Sequence, residues 1–192
     1  MRLGVTQRIY YYEAYDEYWE CLDSRLYTFL RECGFESIGL SCTQSAEDIL
    51  EICDGIVLSG GNDIGTYKQR DIFEHNLIAC ALNRHKKILG ICRGMQMIAA
   101  FFGSKLKRSS HAIGYSHELQ GVFNHRVTSF HNYTIDSLPY SFSILASVDN
   151  EIEAIENGKS LGIMWHPERE VDQKTRNIDK QVITSFFRGD MI

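Results

Sequence analysis

The chain has 192 residues, 44% hydrophobic and 23% charged. That is the composition of a globular protein, with length enough to bury a substantial core in one domain spanning residues 1–192. A formal net charge of -5 and a pI near 5.8 exclude nucleic acid as a bulk electrostatic partner and leave room only for a local basic pocket that takes one nucleotide.

In chain order, RLGVTQ reads as a first strand, and TQRIYYY follows its carboxyl end. From about Asp16 to Cys33 the spacing puts Trp19, Leu22, Leu26, Phe29, Leu30 and Cys33 on one helical face, with Gly34 as a stop. FESIGLS predicts a second strand, SAEDILEIC a short helix and GIVLSGG a buried strand ending in glycines. A helix over roughly Asp71 to Lys87 carries Asp71 and Glu74 near its start and Arg84, Lys86 and Lys87 near its end, a polarity that suits the helix dipole. KILGIC and RGMQMIAAFFG form the next strand and helix. Residues from about Lys105 to Ala154 change to short alternating strands and turns, then SLGIMWH restores a buried strand and Thr175 to Phe187 closes the chain as a helix. This alternation predicts an α/β fold, a doubly wound and mainly parallel sheet flanked by helices with a small antiparallel region. Ligands in such folds gather at the carboxyl ends of the strands.

Neither the N-terminus, which turns polar and acidic, nor any later stretch has the ~18 apolar residues of a membrane span, so no membrane partner and a cytoplasmic location are expected. The six cysteines (Cys21, Cys33, Cys42, Cys53, Cys80 and Cys92) include no C-x-x-C pair and read as reduced thiols.

Cys92 differs from the others. In GICRG it stands where a strand gives way to a helix, the G-x-C-x-G form of a nucleophile elbow. Free N–H groups at the helix start point at the sulfur and favour thiolate. In GIMWHPERE a second apolar strand ends at His166, and Glu168, two residues on, projects to the same side. A nucleophile, a base and an acid that orients the base make a triad. LSGGND, at another strand end, offers backbone N–H groups of Gly60 and Gly61 to an oxyanion, together with the N–H of Arg93.

LSGGND, ILGICRGMQ, SFHNYTI and GIMWHPERE resemble the signatures of class I glutamine amidotransferases, and more narrowly the stand-alone γ-glutamyl hydrolase branch. The resemblance implies a flavodoxin-like fold and hydrolysis of a γ-glutamyl amide through a thioester on Cys92. His166 would be general base and acid, Glu168 its orienter, and no cofactor is implied. It also implies that Gln96 helps hold the glutamyl end, and that the backbone of Ser129, Phe130 and His131 lies along the glutamyl amino and carboxylate groups. GVTQR, QRDIFEHNLI, SFHNYTI and GIMWHPERE are further similar to a branch that cleaves glutamate from γ-glutamyl cytidine-diphosphate amides in capsular phosphoramidate biosynthesis.

Three functions stay open: a stand-alone hydrolase of a small γ-glutamyl conjugate, a glutaminase subunit feeding ammonia to a synthase partner, and a non-catalytic binding module. Tyr10, Tyr11, Tyr12, Tyr15 and Tyr18 form either an aromatic wall at the site or a packing surface, a homo-oligomer interface included. Arg8, at the same strand end, suits a phosphate or carboxylate. His111, His117, His125 and His131 fit no metal-binding spacing and read as solvent-facing or turn-bonded.

Overall fold

The computed structural model describes residues 1–190. Its elements are β1 (Arg2–Thr6), β2 (Arg8–Tyr12), β3 (Glu17–Cys21), α1 (Ser24–Glu32), β4 (Glu36–Leu40), α2 (Ala46–Ile52), β5 (Gly55–Leu58), α3 (Lys68–Asn83), β6 (Lys87–Ile91) and α4 (Arg93–Phe101). The irregular region contributes β7 (Leu106–Arg108), β8 (Ser116–Glu118), β9 (Gln120–Gly121), β10 (Arg126–Thr128) and β11 (Tyr133–Ile135). It is followed by β12 (Ser143–Val148), β13 (Glu151–Glu156), β14 (Ser160–Ile163) and α5 (Gln173–Arg188).

Eight strands make the main sheet in the order β4-β1-β5-β6-β14-β13-β12-β9. The first five run parallel, which is the flavodoxin-like arrangement of a doubly wound sheet. β13, β12 and β9 extend it antiparallel, and two-stranded sheets pair β10 with β8, β11 with β7 and β2 with β3. β5 and β14 are buried along their whole length, as expected where helices cover both faces. Cores form on both sides of the sheet, one including Leu3, Phe29, Leu89 and Phe187 and the other Leu50, Leu58, Leu77 and Met95. No helix is long and apolar enough to cross a membrane among the described residues.

The start of the chain departs from its helical spacing. Residues 17–21 pair with β2 as a hairpin, and α1 begins only at Ser24, with the Asp23 carboxylate accepting from the Arg25 N–H as N-cap. Cross-strand aromatic pairs explain the preference: Tyr11 faces Tyr18 with ring centroids 4.8 Å apart, and Tyr12 stacks on Trp19 at 5.2 Å. α3 starts three residues earlier than its charge pattern suggests and ends at Asn83, with His85 at φ 56° turning the chain into β6.

The GICRG turn is packed backbone to backbone. A Cβ on Gly94 would lie 2.0 Å from the Leu58 carbonyl oxygen, and one on Gly90 2.5 Å from the Gly94 carbonyl carbon. Two glycines therefore let β5, β6 and α4 meet at one corner.

Candidate active site

Cys92 occupies that corner with φ 52° and ψ -107°, backbone that a non-glycine residue adopts only when its surroundings enforce it. The enforcement is visible: the Cys92 N–H donates to the Ile163 carbonyl at 2.7 Å, tying the elbow to the end of β14. Arg93, the first residue of α4, lies in the turn whose N–H groups have no partner within a helix.

Three residues past Ile163, His166 reaches the same point. Its Nδ1–H donates to Glu168 Oε1 at 2.6 Å, and Cys92 is the second group that acts on the ring. Burial of the ring resists protonation, but Cys92 and Glu168 outweigh it and push the His166 pKa up to about 9. Cys92, His166 and Glu168 are all buried. Phe130 sets its ring edge-on to His166 at 5.8 Å, and Arg169 lies over the Phe130 face at 4.8 Å.

The turn carrying Glu168 is held from behind. Arg176 Nη1 on α5 donates to the carbonyls of Pro167, Glu168 and Glu170 at 3.3, 3.4 and 3.3 Å, and its other end pairs with Glu32 on α1.

The glycine turn after β5 closes the third side. A Cβ on Gly60 would stand 2.7 Å from His166 Cε1 and 3.6 Å from Cys92 Cβ, while Gly61, at φ 117°, lies under the Arg8 side chain. Arg8, Leu22, Asp23 and Leu26 cover Gly60, Gly61, His166 and Glu168 so closely that only about 20 Å³ is open between them. A larger cavity of about 550 Å³ lies against the β2–β3 hairpin, lined by Ile9, Tyr18, Glu20, Tyr67 and Lys68. Ile9 is joined to the glycine turn by a reciprocal pair of 2.9 Å hydrogen bonds with the Asn62 side chain. Tyr10, Tyr15, Tyr18 and Trp19 are half exposed or more on the hairpin.

Behind the turn lies a buried ionic network that the sequence patterns do not announce. Arg70 Nη2 donates to the carbonyls of Ser59 and Gly60 at 2.8 and 3.1 Å, and its Nε pairs with Glu74 at 2.9 Å. Thr6 donates to Glu74 and accepts from the Ser59 N–H. The Arg93 guanidinium completes the network on Glu74 and Asp71. Burial works to raise the Glu74 pKa, but Arg70 and Arg93 hold it below the usual carboxylate range. Glu74 is thus the fully buried counter-ion of two arginines, not a dipole-balancing charge on an open helix end. Its signal is its spacing, since Arg70, Phe73, Glu74, Leu77, Ile78 and Ala81 share the buried stripe of α3.

Gln96 is buried one turn into α4, and its Nε2 donates to the Tyr133 carbonyl at 2.9 Å. Ser129, Phe130 and His131 form the stretch between β10 and β11. Both backbone groups of Ser129 are taken up by the neighbouring loop, its N–H by the Tyr115 carbonyl and its carbonyl by the Gly114 N–H, each at 2.8 Å. The Ser129 backbone is thereby tied to that loop, and Phe130 is the member of the segment that touches His166. His117 and His125 are buried beside carboxylates, which corrects the solvent-facing or turn-bonded reading; His131 is buried as well and is turn-bonded, its Nδ1 3.0 Å from the Tyr133 carbonyl.

A doubly wound sheet that gathers a strained cysteine, a carboxylate-bound histidine and a glycine turn at its carboxyl edge defines an amidotransferase-like α/β hydrolase. The chain matches the glutamine amidotransferase class-I family over residues 14–185 and belongs to that family, as an enzyme acting on amide C–N bonds. It is 33% identical over 182 residues to the gamma-glutamyl-CDP-amidate hydrolase of Campylobacter jejuni, covering 88% of this chain and 91% of that one. It is 28% identical to one subunit of the glutamine-hydrolysing GMP synthase of Haloquadratum walsbyi, covering 80% of this chain and 87% of that one. In fold it is similar to the crystal structure of a candidate GMP synthase subunit from Thermoplasma acidophilum, with a TM-score of 0.77 at 22% identity over 98% and 96% of the two chains.

Proposed function

We propose that the protein is a stand-alone, cysteine-dependent hydrolase that releases glutamate from a γ-glutamyl amide. The observation that carries this reading is Cys92, held at φ 52° against a histidine whose far nitrogen is bound to Glu168 at 2.6 Å. The Cys92 thiolate attacks the γ-carbonyl carbon, and the N–H groups of Gly60 or Gly61 and of Arg93 receive the oxyanion. The imidazolium of His166 protonates the departing nitrogen as the C–N bond breaks, leaving a γ-glutamyl thioester on Cys92. Neutral His166 then takes a proton from water as it attacks; collapse expels the thiolate and yields glutamate. Glu168 fixes the ring's orientation throughout, with Gln96, Phe130 and the rest of the 129–131 segment around the glutamyl end.

The substrate we propose is a nucleotide-linked γ-glutamyl conjugate such as γ-glutamyl-CDP-amidate, made for a capsular phosphoramidate by a cytoplasmic enzyme. The Campylobacter jejuni relative supports it by similarity along nearly its whole length. So does the cavity of about 550 Å³ at the hairpin, with two tyrosines and Lys68 on its wall, and so does Arg8 at the covered site. The second reading, a glutaminase that passes ammonia to a separate synthase, is favoured by the similarity to the Haloquadratum walsbyi GMP synthase chain. Glutamate release by the purified protein, with γ-glutamyl-CDP-amidate and L-glutamine compared, separates the two. Fast turnover of the conjugate and slow turnover of glutamine is the expected result. Slow glutamine cleavage stimulated by an added synthase, with none from the conjugate, would establish the second reading.

Two substitutions test the geometry. Gly60→Ala puts a methyl where His166 Cε1 stands 2.7 Å away, and a ring displaced by ~1 Å costs on the order of 10²-fold in rate. The expected result is that loss in kcat/KM with the melting temperature little changed; a wild-type rate would remove His166 from the chemistry. Glu168→Gln should cost roughly 10³-fold and shift the pH profile. Because Glu168 helps raise the His166 pKa to about 9, its loss should move the alkaline limb of kcat/KM to lower pH. A rate loss with that limb unmoved would contradict the orienting role.

A further inference from the structure

The turn that carries His166 and Glu168 is fastened to α5 at two points. Arg176 takes the carbonyls of Pro167, Glu168 and Glu170. Asp179, three residues on and so beside Arg176 on the helix surface, takes the residue before His166. Its Oδ1 accepts from the Trp165 indole N–H at 3.1 Å. Trp165 is buried in the core with Phe123 edge-on to its ring at 6.0 Å. It is thus fixed from the α5 side, while the next residue presents its ring to Glu168 and Gly60.

The same carboxylate oxygen meets a second group. His125 Nε2 stands 3.3 Å from Asp179 Oδ1, and its ring crosses that of Trp165 edge-on at 5.5 Å. His125 is the residue before β10, and its carbonyl accepts from the Leu119 N–H at 3.0 Å. β10 runs directly into Ser129, Phe130 and His131. One side chain of α5 therefore reaches both halves of the site, the turn that carries the base and the strand that leads to the 129–131 segment. Asp179 is only 2% exposed. Burial pushes its carboxyl above the usual carboxylate range, and His125 and Trp165 work in the opposite sense. Stability is a weak reason for such a group, since apolar residues of similar volume often hold a core as well as a buried ionic set does. Position is the stronger reason, because a hydrogen bond to a carboxylate is directional and fixes where its donor lies.

We propose, resting on the hydrolase reading of the site, that Asp179 is a positioning residue for the amide hydrolysis. It ties the His166 turn and the root of β10 to one point on α5, so that the base and the glutamyl-binding segment keep a fixed separation. Asp179 acts through Trp165 on the rate and through His125 on substrate binding.

Removing one donor at a time separates the two arms. Trp165→Phe keeps an aromatic ring and deletes the N–H. It should lower kcat on the order of tenfold, inside the ~10²-fold that a 1 Å misplacement costs, with KM unchanged. Burial opposes protonation of His166, and Cys92 and Glu168 hold its pKa up to about 9. In Trp165→Phe the NMR midpoint of that ring should fall, which a mere loss of folded protein does not produce. His125→Phe keeps the ring against Trp165 and should raise KM for the γ-glutamyl amide about tenfold with kcat retained, the signature of lost uniform binding. Asp179→Asn should show both changes. A wild-type kcat and His166 midpoint in Trp165→Phe, or a wild-type KM in His125→Phe, overturns the proposal. Should Asp179→Asn fail to fold, the two single-donor variants decide the matter. Wild type and Cys92→Ala run beside them keep the two readings apart. If neither glutamine nor any conjugate gives Cys92-dependent glutamate release, the hydrolase reading falls, and the His166 midpoint alone then decides whether Asp179 sets the ring.

Discussion

Cys92→Ala should abolish glutamate release, by roughly 10⁶-fold if the nucleophile and its base act as a unit, while leaving the fold and substrate binding in place. The side chain removed is small, and the corner it occupies is held by main-chain contacts: the Cys92 N–H on the Ile163 carbonyl and the two close-packed glycines. Alanine at φ 52° carries the same backbone strain as cysteine, so the stability change should be small. A second readout separates loss of the nucleophile from general damage. Burial disfavours the protonated His166 ring, and Cys92 and Glu168 together raise its pKa to about 9 despite that. Removing the sulfur withdraws one of the two contributions. The His166 titration, followed by NMR on its ring protons, should therefore fall below the wild-type midpoint, but not as far as in a variant that also lacks Glu168. Persistent glutamate release would eliminate the thioester mechanism. An unchanged His166 midpoint with activity lost would mean that sulfur and ring are not coupled in solution.

The residues at the site's front were legible in the sequence because the chemistry demands particular types at particular turns. A cysteine between glycines at a strand end, and a histidine two residues before a glutamate, are short-range patterns. The parallel alternation was legible for a similar reason, since the buried strand GIVL is apolar throughout and SLGI is apolar but for Ser160. The hairpin of β2 and β3 was not, because Trp19, Leu22 and Leu26 satisfy a helical spacing by chance. What pairs residues 17–21 with β2 is a set of cross-strand aromatic contacts, which a pattern along one segment does not reveal. The network under the glycine turn was hidden for the opposite reason. Arg70 and Glu74 look like solvent-facing partners four apart on a helix, and only the sheet topology brings Thr6, Ser59 and Arg93 to them. The buried histidines likewise meet carboxylates far along the chain, His125 with Asp179, a separation no local spacing rule spans.

That network should make Glu74→Gln the most destabilising conservative change in the molecule. Glu74 is fully buried and is the shared counter-ion of Arg70 and Arg93, both at most 2% exposed. The amide keeps the volume and removes the charge, leaving two buried guanidiniums with only Asp71 between them. Breaking a buried ion pair from one side costs about 3–5 kcal/mol, which in a chain of this length corresponds to a fall in Tm on the order of 10 °C. Acid titration supplies the sign. Burial alone would raise the Glu74 pKa above its ordinary 4.5, but the two arginines bring it below. Its stabilising contribution is thus complete above about pH 4.5 and is lost as pH falls through the lower folded value. Urea unfolding across that window should show a steeper acid loss in the wild type than in Glu74→Gln. The catalytic effect follows from the same contacts. Arg70 holds the carbonyls of Ser59 and Gly60, so losing its counter-ion loosens the turn whose N–H groups are assigned to the oxyanion. The surviving folded fraction should then show a reduced kcat with KM nearly unchanged, since the glutamyl-binding side is untouched. A variant within 1 kcal/mol of wild type, with the same acid slope, would mean that water reaches the network and screens its charges.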